Sequence, residues 1–255
     1  MTGMQMNSRG AIGDREGDQA WWNSLNHGGL MLSPAQIKSL SPEAAAMRSL
    51  NDYAYTKLKN ATLAQRDDWA NPPALVLETL WGIVLGKGSD GWLNSPDATW
   101  SAESITGRIV KPWRVYSRDG LTLPVFLTEK QERGSAKPLS RNRRFIARVL
   151  EWQRKKGLRF ALATNGAQWR FIHAGTDYES FTEWDESLWF EEGREGDQID
   201  ALRILFSDLP RLFDLAATAK AGQGELSRDL GERIRRGVEL LVAAGGDRFN
   251  ELDGR

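Results

Sequence analysis

Apolar positions recur at helical spacing near the two ends of the chain and alternate in its middle. Trp21 and Trp22, followed by Leu25, mark the start of ordered structure after a Gly- and charge-rich stretch over 1–20 that reads as a flexible N-terminus. Ser41-Pro42-Glu43 has the form of a helix start: a Ser cap, Pro at the first helical position and an acid in the first turn. That helix is expected to run to about Asn60, with Met47, Leu50, Ala54 and Leu58 on one face. Asn71-Pro72-Pro73 predicts another, carrying Leu75, Leu77, Leu80, Trp81 and Val84 and stopping near Gly86. Residues 86–112 are rich in Gly, Ser and Asn and read as an extended loop.

From Trp113 the period changes to two. Trp113–Ser117 alternates, Asp119-Gly120 signals a tight turn, and Leu121–Thr128 forms the returning strand. Phe145, Val149 and Trp152 place a helix over Ser140–Lys156, with Gly157 as its C-terminal cap. Leu158–Thr164 is a short apolar strand, Asn165-Gly166 a second hairpin signal, Trp169–His173 its return, and Tyr178–Trp184 a further strand. Helices are predicted over 199–219, interrupted at Pro210, and over 225–243, with Leu226, Leu230, Ile234, Val238 and Leu241 in one stripe. No internal repeat is visible.

The expected fold class is therefore α/β (α+β): a central mixed sheet flanked by N- and C-terminal helices. The expected divisions are a flexible terminus over 1–20, a helical region over 21–112, an α/β core over 113–190, and C-terminal helices over 191–255.

Composition narrows the chemistry. The 255 residues include 11 Trp and 9 Phe, enough to build a sizeable core, so disorder is not the main state. There is no Cys, hence no disulfide, thiolate zinc site or Cys nucleophile, and the two His, His27 and His173, disfavour zinc chemistry and a Ser-His-Asp triad. A reducing, cytoplasmic location fits this composition. Met1–Gly17 has no apolar signal core and no 18-residue apolar run occurs, so neither secretion by that route nor a membrane partner is expected.

Lys+Arg and Asp+Glu are 34 each, but the zero sum hides a segregation. Lys130–Arg159 holds eleven cations against Glu132 and Glu151, and Thr176–Asp200 holds ten acids against Arg194. A basic stretch of this kind is a footprint for nucleic acid. The competing explanations are that the two stretches face each other, or that both are solvated surface.

The run from Gly157 to Ile172 (GLRFALATNGAQWRFI) carries a Thr-Asn-Gly-x-x-Trp-Arg element. It resembles a stretch near the N-termini of bacterial restriction–modification proteins: type I restriction subunits, type IIG restriction–methyltransferase fusions, and the adenine methyltransferases of the BREX and DISARM anti-phage systems. The acidic Glu183–Glu192 stretch, the helices near Leu202–Phe213 and Leu226–Val242, and the opening Asn26-His27-Gly28-Gly29-Leu30 with Ser33-Pro34 are similar in order. The resemblance covers about residues 20–250. It implies a restriction-endonuclease-like core of the PD-(D/E)XK type, with double-stranded DNA and other subunits or domains of a defence complex as partners.

That core places one acid at the opening of a strand and Glu-x-Lys on the next, where the carboxylates hold Mg²⁺. Aligned on the first hairpin, Lys111–Tyr116 (KPWRVY) puts Trp113 where the metal Asp belongs. Pro124–Gln131 (PVFLTEKQ) keeps Glu129 but puts Gln131 in place of the Lys. The other register makes Asp119, Glu129 and Lys130 the catalytic set, with Asp119 and Glu129 as metal ligands, though Thr128 then stands where an acid is required. Both registers are broken, so a degenerate nuclease without a cofactor is expected; Mg²⁺ is expected only if the chain is an active DNA endonuclease. Glu78 on a preceding helix is either a remnant metal-facing acid or a solvated helix residue.

The related methyltransferases need a Gly-rich cofactor loop and an (Asn/Asp)-Pro-Pro-aromatic loop. Asn71-Pro72-Pro73 is followed by Ala74, which cannot stack on a base, and no Gly-rich loop follows a strand. The chain stops at Arg255, about where such a methyltransferase would begin, so it reads as the N-terminal module of a larger protein or a stand-alone version. Arg141, Arg143, Arg144 and Arg148 are the candidate DNA-binding residues. The expected role is to contact DNA or partner subunits in phage defence with little or no catalysis. The alternatives are an active metal-dependent endonuclease and a pure protein-interaction module.

Overall fold

The computed structural model describes residues 19–68, 71–128, 138–175, 179–191, 193–219, 232–236 and 239. Glu129 and Lys130, the N-terminal 18 residues, and most of the expected helix over 225–243 lie outside the described residues.

The architecture is a mixed seven-stranded sheet between two layers of helix. In chain order the elements are α1 (Ala20–Asn23), β1 (Asn26–Gly28), α2 (Pro34–Ala46), α3 (Asp52–Asp67), α4 (Ala74–Glu78), β2 (Trp92–Leu93), β3 (Ala102–Glu103), β4 (Ile109–Val110), β5 (Arg114–Arg118), β6 (Leu121–Leu127), α5 (Arg143–Lys156), β7 (Phe160–Thr164), β8 (Gln168–Ala174), β9 (Glu179–Asp185), β10 (Phe190–Glu191), β11 (Arg194–Glu195) and α6 (Asp197–Ser207). A further helical segment over 209–219 follows. The large sheet has the order β1-β9-β8-β7-β6-β5-β2, while β3–β4 and β10–β11 form separate two-stranded ribbons. Among the described strands only β6 and β7 are parallel, and α5 makes the crossover that a parallel pair requires. All other neighbours in the sheet are antiparallel.

Alternation along the strands sorts side chains onto the two faces. Ala161 and Ala163 of β7, with Phe126, Ile172 and Ala174, face α5 and meet Phe145, Val149, Leu150 and Trp152. Two small residues on β7 let the helix sit close to the strand. Phe160, Leu162, Trp169, Phe171 and Trp184 face the other way and join Trp21, Leu58, Leu77, Trp81, Leu205, Phe206 and Leu212 in the larger core. One apolar core thus draws on chain from Trp21 to Ala216, across the divisions read from the sequence.

Several local signals act as expected. Asp119 and Gly120 both have positive φ, at 52° and 78°, the conformation of a type I′ turn. Gly157 caps α5 in the left-handed region at φ 68°. The expected helix over 199–219 is interrupted at Asp208, where Asp208 Oδ1 accepts from Arg211 N at 3.1 Å and Pro210 stands in the first turn of the new segment. The run from Ala74 continues beyond Glu78 as a π-helix over Thr79–Val84 and ends before Gly86, whose φ is 62°.

Three expectations are corrected. The predicted single helix from Ser41 to Asn60 is two helices. α2 starts at Pro34, where Ser33 and Gln36 form a reciprocal capping box, and Pro42 lies inside it. α3 starts after Asn51, whose Oδ1 accepts from Ala54 N at 2.8 Å. The stretch over 86–112 is not all loop, because β2 pairs with β5 and β3 pairs with β4. Finally, α5 begins at Arg143 rather than Ser140; Leu139–Arg141 form a separate 3-10 turn.

Candidate nucleic-acid interface

The carboxyl ends of β6 and β7 lie side by side, where Thr128 N donates to Thr164 O at 3.0 Å. In open α/β sheets ligands bind outside the carboxyl ends of the strands. The opening of β5, the turn between β7 and β8, and the end of β9 share this edge. The 3-10 turn before α5 is fastened there too: Leu139 N donates to Gln168 Oε1 at 2.8 Å, and Gln168 Nε2 donates to Asp185 Oδ2 at 3.0 Å.

The Thr-Asn-Gly element builds the turn at this edge. Asn165 Oδ1 accepts from Ala167 N at 3.0 Å and Gln168 N at 2.6 Å. Thr164 Oγ1 donates to Gln168 O at 2.7 Å and accepts from Gly166 N at 2.9 Å. Gly166 alone in the turn has positive φ, 95°, so Asn165 precedes the two central residues and the pattern is that of a type II′ turn. Trp169 is buried in the larger core. The signature residues therefore shape the edge.

The positions aligned with nuclease chemistry are differently occupied. Trp113 donates its backbone N–H to Val125 O at 2.8 Å, and its ring lies 4.8 Å from the Arg114 guanidinium. An indole offers no ligand to Mg²⁺. Arg114 Nη1 pairs with Glu78 Oε1 at 2.9 Å, so the candidate remnant acid balances a guanidinium. Asp119 sits in the turn at the far end of β6, its side chain 83% exposed and 3.4 Å from Arg118 Nε. At about 3.3 Å per residue, the length of β6 separates Asp119 from Thr128 by roughly 20 Å. Asp119 therefore stands at the opposite end of β6 from Thr128. Among the described residues no group of three or more His, Cys, Asp or Glu is placed to hold a metal ion.

The candidate arginines have a clearer placement. Arg141 lies in the 3-10 turn, and Arg143 and Arg144 in the first turn of α5; all three are exposed and make no side-chain ion pair or hydrogen bond among the described residues. Because Arg141 precedes α5, it lies outside the helical face that carries Arg144 and Arg148. Arg148 is partly buried, and its Nε donates to Arg144 O at 3.3 Å. The N-terminus of α5 has no side-chain cap and no acid in its first turn. Unpaired helix N–H groups and arginines there add their positive potentials, an arrangement that favours an anion.

Three further cations of the basic stretch brace neighbouring backbone. Arg154 Nε donates to Gly175 O at 3.1 Å, Lys156 Nζ to Thr99 O at 2.7 Å, and Lys155 Nζ to Glu103 O. Among the described residues no member of the acidic stretch pairs with Arg141, Arg143 or Arg144. Glu183 pairs with Arg170, Glu186 with Arg66, Glu191 with Arg194, and Glu195 and Asp200 with Arg203. Among the described residues its ion pairs lie elsewhere.

Two polar groupings were not legible in the sequence. Arg170 directs Nε and Nη2 at Glu183 Oε2, at 2.7 and 2.6 Å, while Asn26 Nδ2 donates to Glu183 Oε1 at 3.2 Å. The Phe181 ring lies over Arg170 and fills the space above Gly28, where an added Cβ would meet it at 2.0 Å. The Asn-His-Gly element at 26–28 thus serves close packing of β1 on β9. In the second grouping, Glu186 Oε1 accepts from Arg66 Nε at 2.5 Å, with the carboxylate side chain only 2% exposed.

Burial pushes the Glu186 carboxyl up, against the hydrogen bond and charge of Arg66. Burial acts in the same sense on neighbouring Asp185, but hydrogen bonds from Ser187 and Gln168 and the Arg66 charge outweigh it and leave that carboxyl below its ordinary range. A raised acid is stabilising, relative to an amide, below its ordinary value of 4.5 and loses that contribution as pH rises through its folded value. The stability of the wild type relative to Glu186→Gln is therefore expected to fall as pH rises from 4.5. Urea denaturation of both proteins across this range checks it, and a pH-independent difference contradicts it.

Comparison with protein-family models, curated proteins and solved structures finds no match to this chain.

Proposed function

We propose that this chain is a nuclease-like module of a bacterial phage-defence restriction–modification system, contacting duplex DNA with little or no catalysis of its own. The observation that carries this reading is the trio Arg141, Arg143 and Arg144, exposed and unpaired among the described residues at the uncapped start of α5. Further support comes from the element order: an antiparallel hairpin, a helical crossover and a parallel strand, which is compatible with the nuclease-like core the sequence resembles. Trp113 and the Arg114–Glu78 pair at the metal positions agree with loss of cleavage. The internal pairing of the acidic stretch weighs against its use as a docking surface for a protein partner.

Phosphate contacts release counterions, so log affinity should fall with log salt by about 0.9 per contact, giving a slope of about −3 for three arginines. Arg141→Ala/Arg143→Ala/Arg144→Ala is expected to remove most of that slope and leave the melting temperature unchanged. Fluorescence anisotropy with a random-sequence duplex across a salt series, beside a melting curve, is the test. No duplex binding by the wild type at low salt would sink the reading. So would a mutant that binds like the wild type. Mg²⁺-dependent nicking of a plasmid that disappears in Glu129→Ala would restore the endonuclease alternative.

A further inference from the structure

The β3–β4 ribbon presents Ile105 and Ile109 to solvent at 84% and 68% exposure. The loop between its strands is well braced. Ser104 N donates to Arg108 O at 2.7 Å and Gly107 N to Ser104 O at 2.9 Å, with Gly107 at φ 77°. Ser104 Oγ bonds Thr106 Oγ1 at 3.0 Å and accepts from Arg108 N at 3.1 Å. Two exposed isoleucines are thus held on a pre-formed ribbon, so ordering them on a partner costs little.

The ribbon is clamped to α5. Ile105 N donates to Glu151 Oε2 at 2.9 Å, and Lys155 Nζ donates to Glu103 O. Below it, Trp152 Nε1 donates to Trp100 O at 2.6 Å. On α5, Arg144, Arg148, Glu151 and Lys155 follow one another at spacings of four, three and four, so they form one helical stripe. The clamp and the proposed phosphate contact Arg144 share that stripe, with Arg144 and Glu151 about 10 Å apart along the axis. Over 97–111 and 138–159 together there are ten cations, Arg108 and Lys111 among them, against Asp97, Glu103 and Glu151. All three accept hydrogen bonds within this layer, Asp97 and Glu151 on their carboxylates and Glu103 on its backbone carbonyl.

We propose that the β3–β4 ribbon enters a groove of the duplex whose phosphates the arginines hold, with Ile105 making apolar contact with the base edges. This rests on the DNA-binding reading above. The cationic surround selects a polyanion over an apolar protein face, and a two-stranded ribbon carrying an aliphatic side chain is a form that DNA grooves accept. Ile105 and Ile109 offer too little apolar area to hold a lipid surface by themselves.

The test uses Ile105→Ser, Ile109→Ser and the double variant, whose exposed positions leave folding intact, with Arg144→Ala as the comparison. Anisotropy with a duplex is read over a salt series. Ile105→Ser is expected to weaken binding about tenfold at every salt concentration with the slope unchanged, because an apolar contact releases no counterions. Arg144→Ala should instead flatten the slope by about 0.9. Binding by the wild type with unchanged affinity in the double variant overturns the ribbon inference and leaves the DNA reading standing. Absence of wild-type binding overturns both. If sedimentation shows the wild type to self-associate, and the double variant dissolves the oligomer while DNA affinity stays the same, the ribbon is a protein interface and the proposal falls.

Discussion

Replacing Trp169 with alanine is expected to destabilise the protein by about 3–5 kcal/mol, the range for removing a buried indole from a packed core. Trp169 is 3% exposed and lies where β8 leaves the Asn165-Gly166 turn, paired with Thr164 on one side and Trp184 on the other. Its Nε1 has no hydrogen-bond partner among the described residues. The loss is therefore one of packing and of the cavity left behind, with no hydrogen bond to forfeit. Trp169→Phe should cost less, since the ring keeps part of the volume. For a chain of this size, a midpoint shift of about 10 °C corresponds to the alanine value. Thermal unfolding followed by circular dichroism gives the answer, and a shift under two degrees would show the indole to be dispensable.

The second large effect is expected at Glu183. Glu183→Ala leaves the Arg170 guanidinium buried without a carboxylate and removes the acceptor of Asn26 Nδ2; the side chains of Arg170 and Glu183 are 6% and 4% exposed. Stranding one member of a buried pair costs about 3–5 kcal/mol, whereas replacing both by apolar groups of similar volume is often near neutral. Glu183→Leu/Arg170→Met should therefore recover most of what Glu183→Ala loses. The contact of Arg170 with the Phe181 ring at 3.9 Å remains in the single variant but supplies no counter-charge. Guanidinium denaturation of wild type, single and double variants measures both quantities. A double variant no more stable than Glu183→Ala would show that the charge pair itself holds β8, β9 and β1 together.

Features set by a few adjacent residues were legible in the sequence. Asp119-Gly120 fixes a turn through backbone conformation alone, Gly157 ends a helix, and Pro210 interrupts one. The alternation over 121–127 fixes a strand because one-residue steps exchange its faces. Where two local signals competed, the choice went astray. Ser41-Pro42-Glu43 repeats the start grammar of Ser33-Pro34, but only Ser33 has Gln36 three places on to close the capping box. β2, β3 and β4 were missed because two residues carry no period.

The candidate site divides in the same way. The concentration of cations before and within α5 was visible as composition, and their exposure at an uncapped helix start is a local consequence. The Arg170–Glu183 and Arg66–Glu186 pairs join residues 13 and 120 positions apart. They arise from strand register and from the docking of α3, neither of which a linear pattern contains. Arg114–Glu78 belongs with them: the sequence offered Glu78 as an acid without a partner, and the fold brings Arg114 to it.

The edge strand β1 comes from the N-terminal segment yet pairs through all three of its residues with β9. With α1, which supplies Trp21 to the larger core, it seals one side of a sheet whose other strands begin only at Trp92 and beyond. The α/β core over 113–190 is consequently not a separable unit. Cut out on its own, it would present the full length of β9 as an open edge and lose the helices that cover Phe160, Leu162 and Phe171. One continuous core joins Trp21 in α1 to Leu212 and Ala216 in the segment over 209–219.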